Sequence, residues 1–332
     1  MARSSGTFIT ARAATLAASC IALIASGSAF AQAWPSRTVN LVLPYAAGGP
    51  TDAVTRVLAL KLGESLGQTV VVENVPGANT MVGTERVARA SADGHTLLVA
   101  SVTTLSINPF LYKAIRYKVS DFAPVSMMVK TPFTMTVNKN LPPQTLREFI
   151  AYAKERPGKV FHGMNPGRGN TNELLGEMLN LAADIKTVPV PYKGLGAALT
   201  AVIAGEIQYM FDSINTTVGA VKTGTVRVLA HTGDKRSPAL PDVPTFAEAG
   251  FPGMTANFWY GVVAPAATPR PVIDKLNASI IAAFRAEDVR ARIEGVGLTS
   301  DAGSPEAFTA IVQRDAEVWG SVIKRIGLQL DI

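Results

Sequence analysis

The residues best placed to do chemistry lie in glycine loops, each between an apolar run and a helical pattern. Residues 39–52, VNLVLPYAAGGPTD, read as a buried strand that breaks at Pro44 into a glycine loop and starts a helix at about Pro50 or Thr51. Such a junction binds anions, because the N–H groups of a helix's first turn lack intrahelical partners and the positive end of the helix dipole lies there. Gly48 and Gly49 allow close backbone approach, and Pro50 suits an early helical position because its missing N–H had no partner. Tyr45, Ala46, Ala47, Gly48, Gly49, Thr51 and Asp52 are therefore candidate ligand residues. Asn79, in the loop 77–83, and Ser101 and Thr103, in 101–104, follow the next two strands. A second strand-to-helix glycine loop, HGMNPGRGNT at 162–171, contributes Asn165, Gly167, Arg168, Gly169, Asn170 and Thr171. Tyr192, Lys193 and Gly194 in PYKGLG, and Asp212, also follow strands. Together they describe a cleft with two opposed anion cradles, suited to a ligand with carboxylates.

Other chemistries lack their residues. The chain has three histidines, His95, His162 and His231, in different units, and no G-x-S-x-G elbow, Walker A motif, H-E-x-x-H or cysteine pair. Gly167-Arg168-Gly169 begins like a dinucleotide fingerprint but has Asn172 where the third glycine belongs. The reading is a binding protein with no catalytic residues, metal or cofactor; a cofactor-free enzyme working through Asp and Glu pairs is the less favoured alternative, since no pair is marked out by spacing. Asp52 is awkward in an anion site and is expected to cap N–H groups of its own loop, although Asp52 or Asp212 could accept a ligand ammonium or hydroxyl.

The elements that must position these residues follow an export signal. Arg3 and Arg12 precede a short apolar stretch at 13–25, with an A-x-A cleavage site ending at Ala31 or, alternatively, Ala33. A lipoprotein cut before Cys20 is disfavoured by Ala17, where Leu is usual. The only cysteine leaves with the signal peptide, 1–31, so the mature chain has no thiol chemistry. The full chain carries 31 basic and 25 acidic residues, a net +6; loss of the two signal arginines leaves +4. The basic residues are scattered, which argues against nucleic acid. In the mature chain, strands at 39–44, 69–74 and 96–100 alternate with helices at 51–66 and 81–90, and βαβ repetition implies a parallel sheet. The pattern restarts after Pro132: an extended 133–137, a Thr145/Glu148 capping box, strands at 160–162, 187–190, 208–211 and 226–231, and helices at 170–181, 195–204 and about 217–222. A strand at 257–264 crosses back, and helices fill 271–286 and 305–326. Two crossings, near 130–137 and 253–260, make a hinge between two α/β lobes, and ligands of such folds lie where strand carboxyl ends face one another. The boundaries expected are 34–132 for lobe 1, 133–255 for lobe 2, and 256–332 returning to lobe 1.

Six stretches, among them WPSRTVNLVLPYAAGGPTD, VPYKGLGAALTAVIAGEIQYMFDS and WYGVVAPAATP, resemble in order and spacing the tripartite tricarboxylate transporter substrate-binding proteins, the Bug family of periplasmic receptors. The resemblance implies a two-lobed Venus-flytrap fold of type II topology, with parallel-rich sheets joined by a two-strand hinge. It implies a periplasmic, usually monomeric receptor that captures a small organic acid and delivers it to integral membrane subunits, or alternatively reports to a membrane sensor. It further implies that the ligand carboxylate meets main-chain groups and small hydroxyls rather than cations. Three residues depart from the family's common pattern: Asn170 in place of Ser, Glu173 in place of His, and the basic Arg168. Arg168 turned outward is solvated surface; turned inward it would admit a second carboxylate.

Overall fold

The computed structural model describes residues 34–295 and 298–331; the expected signal peptide and both cleavage positions lie outside the described residues. The first sheet grows from strand β1 (Val39–Leu43), which is mostly apolar and buried on both faces, as a central parallel strand must be. Asn40 is its one polar, half-buried residue; the strand pairs in parallel with β2 (Val70–Asn74) and β3 (Thr96–Ser101). Helix α1 (Pro50–Leu66) connects β1 to β2 and buries Leu58 and Leu62 almost completely, each stabilising by roughly 1.5–3 kcal/mol. It ends at Gly67, whose φ of +68° is the left-handed conformation that glycine adopts without a Cβ clash. Helix α2 (Met81–Ala88) connects β2 to β3.

Beyond β3 the chain makes a π-helical turn, Thr103–Ile107, and a short helix α3 (Asn108–Leu111). It then enters β4 (Phe122–Asn138), which belongs to two sheets. Residues 122–132 pair with β9 (Asn257–Pro265), while 133–138 pair with β7 (Tyr209–Ser213) and β8 (Val226–His231). Sequence pattern placed only 133–137 in this strand. The earlier part escapes the alternation rule because Pro124 and Ser126 flank a register shift, and a second shift follows between Met127 and Val129.

The second sheet repeats the order of the first. Strand β5 (Val160–Met164) pairs in parallel with β6 (Thr187–Pro191) and β7, and β4 runs antiparallel beside β7. The order 6-5-7-4 therefore mirrors 2-1-3-9, and in each case the antiparallel member has come from the other sheet. Each sheet is thus mixed, parallel on its outer side and antiparallel where the chain crosses. Helices α4 (Leu146–Lys154), α5 (Thr171–Ala183), α6 (Leu195–Ala204) and α7 (Ile214–Lys222) clothe the second sheet. Helix α7 starts at Ile214, before the expected 217. Glu148 takes the Gln144 N–H rather than that of Thr145, so the expected capping box closes one residue further out.

Helices α8 (Arg270–Arg285), α9 (Glu287–Gly295) and α10 (Pro305–Ile326) follow β9, with the short β10 (Thr299–Ser300) on the edge of β4. Helix α10 fixes the orientation of β9. The Trp259 indole N–H donates to buried Asp315 at 2.7 Å and the ring packs edge-on against Phe308 at 5.2 Å. Because side chains alternate along a strand, anchoring Trp259 on that face sends Phe258 and Tyr260 to the other.

Candidate functional site

Both glycine loops are closed by the third residue of the helix that follows. In the first, Asp52 accepts the Gly48 N–H at 3.0 Å, and also bonds Arg56 Nε at 2.9 Å and Asn74 Nδ2 at 3.0 Å. Gly48 can turn inward to reach it because its φ is +88°. In the second, Glu173 accepts the Gly169 N–H at 2.6 Å and the Arg168 guanidinium, while Asn170 caps the helix by accepting the Glu173 N–H. The expectation for Asp52 as a cap of its own loop therefore describes both loops. It also corrects the cradle: the Gly48 and Gly169 amides serve the protein's own carboxylates. The donors left to a ligand are the remaining first-turn N–H groups and the side chains around them. Arg168 is turned outward, with 62% of its side chain exposed, and Glu173, almost fully buried, balances its charge.

The two helix starts meet in one cavity of about 360 Å³. From the first sheet it receives Tyr45, Thr51, Asn79 and Thr103, and from the second Asn165, Asn170, Thr171 and Asp212, all expected from sequence. Ser101 stands just behind, fully buried, with its hydroxyl 2.7 Å from the Tyr45 hydroxyl and 3.1 Å from Thr104 Oγ1. Burial pushes the Tyr45 phenol up to about 12, against the opposing hydrogen bonds from Ser101 and Thr103, so it is neutral at physiological pH. Asn79 is held by reciprocal amide bonds with buried Asn108, at 2.9 and 2.7 Å. Ala78, Asn79 and Thr80 all take left-handed φ values of 43°, 49° and 77°. Three consecutive non-glycine residues in that region store strain of order 1–3 kcal/mol each, a condition found at ligand clamps.

The remaining candidates lie outside the cavity wall. Ala46, Ala47 and Gly48 are exposed beside Tyr45, with Gly49 half-buried as the cap of α1. Gly167 turns the second loop with φ +89°. Tyr192 packs on the apolar cluster under α6, Lys193 is exposed and Gly194 caps α6, so PYKGLG builds the helix start without placing its lysine in the cavity.

Sequence reading assigned the crossing strands to the hinge and missed that they line the cavity. Thr131 and Phe133 of β4 and Phe258 and Tyr260 of β9 line the cavity, with Asn172, Leu195, Ser213, Thr216 and Leu298. Four of its rings form a row: Phe133 and Phe258 with centroids 6.1 Å apart, Phe258 and Tyr260 at 4.9 Å, Tyr260 and Tyr45 at 5.8 Å, each pair edge-to-face. The available signal was the alternation in NFWYG, in which Phe258 and Tyr260 share a face opposite Trp259.

The electrostatics are unusual for an anion site. Among the described residues that line the cavity none is Lys, Arg or His, and Asp212 is the single acid. Asp212 accepts the Ser213 N–H at 2.7 Å, yet burial pushes its carboxyl above the ordinary value and the bonds from Thr216 and Ser213 only partly oppose this. Asp52 is the converse case. The Arg56 guanidinium above all, then Asn74 and Gly48, holds it at about 2, so it is ionised at any physiological pH.

Comparison with known proteins agrees with this geometry. Residues 54–328 match the model of the tripartite tricarboxylate transporter family receptor. The solved structure of periplasmic binding protein BugD is 35% identical, with a TM-score of 0.71 over 90% of this chain and 100% of its own. MatC from Rhodopseudomonas palustris, solved with bound malate, is 34% identical, with a TM-score of 0.71 over 87% of this chain and 100% of its own. A second R. palustris protein, solved with adipate, is 31% identical, with a TM-score of 0.74 over 90% of this chain and 100% of its own. With the two-sheet fold and the cleft between facing helix starts, these matches show that the chain belongs to the tripartite tricarboxylate transporter receptor family, the Bug receptors, and is a substrate-binding protein rather than an enzyme.

Proposed function

We propose that the chain is a periplasmic receptor that captures a small organic acid in the Tyr45–Asp212 cavity and presents it to the membrane subunits of a tripartite transporter. The observation that carries this reading is the convergence of two helix starts, at Thr51 and Thr171, on one cavity lined by neutral hydrogen-bond donors. First-turn N–H groups and hydroxyls recognise a carboxylate without a buried cation, whose desolvation would be costly. The malate bound to MatC and the adipate bound to the second relative support the ligand class. In this reading the lobe boundaries are 132/133, within β4, and 255/256, just before β9, and closure there would bring both walls onto the ligand.

A thermal-shift screen of organic acids tests the reading. At a hundredfold excess over its dissociation constant a true ligand stabilises the fold by about 2.7 kcal/mol, a shift of several degrees. Absence of a shift with every carboxylate, alongside one with cationic or neutral solutes, contradicts it. N-terminal sequencing of the exported protein tests the compartment: a mature end just after Ala31 or Ala33 is expected, and an intact Met1 opposes it.

A further inference from the structure

We propose that the ligand of this chain is an aromatic monocarboxylate, an inference that rests on the carboxylate-receptor reading and narrows it. The cavity has a direction. At one end Tyr45 packs edge-on against Tyr260, and both line the cavity with Thr51, so the aromatic row begins at the start of α1. That end offers first-turn N–H groups, and the one carboxylate near it, Asp52, is already balanced by Arg56. From there the row passes through Phe258 to Phe133, which pairs in register with Ser213, next to Asp212.

Phe258 and Tyr260 are only half-buried, so part of each ring is left for a ligand to cover. An aromatic body continues the edge-to-face sequence that these rings already make among themselves, and such ring pairs contribute beyond their buried area. At the far end Glu173 is balanced by Arg168, but among the described residues no cationic side chain lines the cavity to balance Asp212. A second ligand carboxylate there would meet a buried acid with no cation to separate them. A hydroxyl would instead donate to it. The arrangement selects one carboxylate, a ring, and a neutral or donor group opposite, a different ligand shape from the aliphatic diacids malate and adipate bound by two relatives.

Isothermal titration of the mature protein with benzoate, 4-hydroxybenzoate, terephthalate, malate and adipate tests this. The aromatic monoacids should bind at least about tenfold more tightly than terephthalate or either aliphatic diacid. Asp212→Asn should narrow the gap between 4-hydroxybenzoate and terephthalate. Phe258→Leu, which keeps an apolar side chain but removes the ring, should weaken the monoacids by roughly threefold to tenfold and the aliphatic acids by distinctly less. Tighter binding of any diacid by the unmutated protein overturns the inference while sparing the carboxylate reading, and that comparison stands even if a variant does not fold. Equal weakening of all acids by Phe258→Leu also overturns it. No binding by any of the five acids, with uptake of non-acidic solutes, overturns both.

Discussion

Buried single residues in this protein are tied to protonation state, and His162 shows it most directly. Its ring is fully buried against Tyr209, with Nδ1 3.3 Å from the Thr187 hydroxyl and no hydrogen-bond partner for Nε2. Burial lowers its pKa from 6.5 to about 4, so the folded state keeps it neutral where the unfolded chain takes a proton. Stability from this residue is complete above about pH 6.5 and is lost as pH falls towards 4, by about 3 kcal/mol in all. Urea melts at pH 7 and pH 4.5 should differ accordingly, and His162→Phe, if folded, should flatten the dependence over that window. Asp52 acts in a separate window. Its pKa is lowered from 3.8 to about 2, so its contribution is present above pH 3.8 and fades only below it. His162 was visible in the sequence as a residue of a glycine loop. Its burial was not, because burial depends on α5, which packs from the next segment.

The contact between α5 and β5 is an element-scale property with a sharp steric test. A Cβ at Gly176 would overlap the imidazole of His162, so the helix approaches the strand as closely as it does only because that position is glycine. Gly176→Ala gains helix propensity of about 1 kcal/mol but forces the ring or helix aside; a net loss of about 1–3 kcal/mol in chemical denaturation is expected. The strained loop 78–80 gives a second test. Asn108 donates to the Asn79 carbonyl and accepts the Asn79 side-chain N–H. Asn108→Ala should cost about 1–3 kcal/mol and weaken ligand binding through Asn79, whereas an Asn108→Ser variant should retain part of both. Sequence spacing found the ends of these elements well. Gly67 stands where the pattern put it, because caps are local chemistry, while Asn170, read as the first residue of its helix, is its N-cap. The full length of β4 was hidden by Pro124 and by two register shifts, since a strand that serves two sheets is defined by its partners.

At the scale of the whole molecule, the first sheet takes residues 122–132 of β4 together with β9 and the second takes residues 133–138 of β4, and in the proposed receptor the walls of the cavity would rotate about this crossing. In that proposal, ligand contacts that span both walls would exist only when they are closed, and binding would shift the population towards that form. Small-angle scattering with and without a saturating ligand should show a smaller radius of gyration when bound. An unchanged radius with tight binding would mean that the cavity is already closed without ligand. Replacing Thr131 or Phe133 with glycine, at the crossing on β4, should alter affinity and closure together, because these positions both line the cavity and join the sheets.

The amino-acid sequence alone determined the alternation of strand and helix, the two strand-to-helix glycine loops, the scarcity of catalytic residue types and the family to which those motifs belong. These are local patterns, set by side-chain periodicity, capping and glycine φ over a few residues. Tertiary structure alone decided which amides remain for a ligand, because Asp52 and Glu173 reach back to Gly48 and Gly169. It also decided that the floor of the cavity is a row of aromatic rings, because β4 and β9 lie far apart in the chain and become neighbours only when their backbones pair.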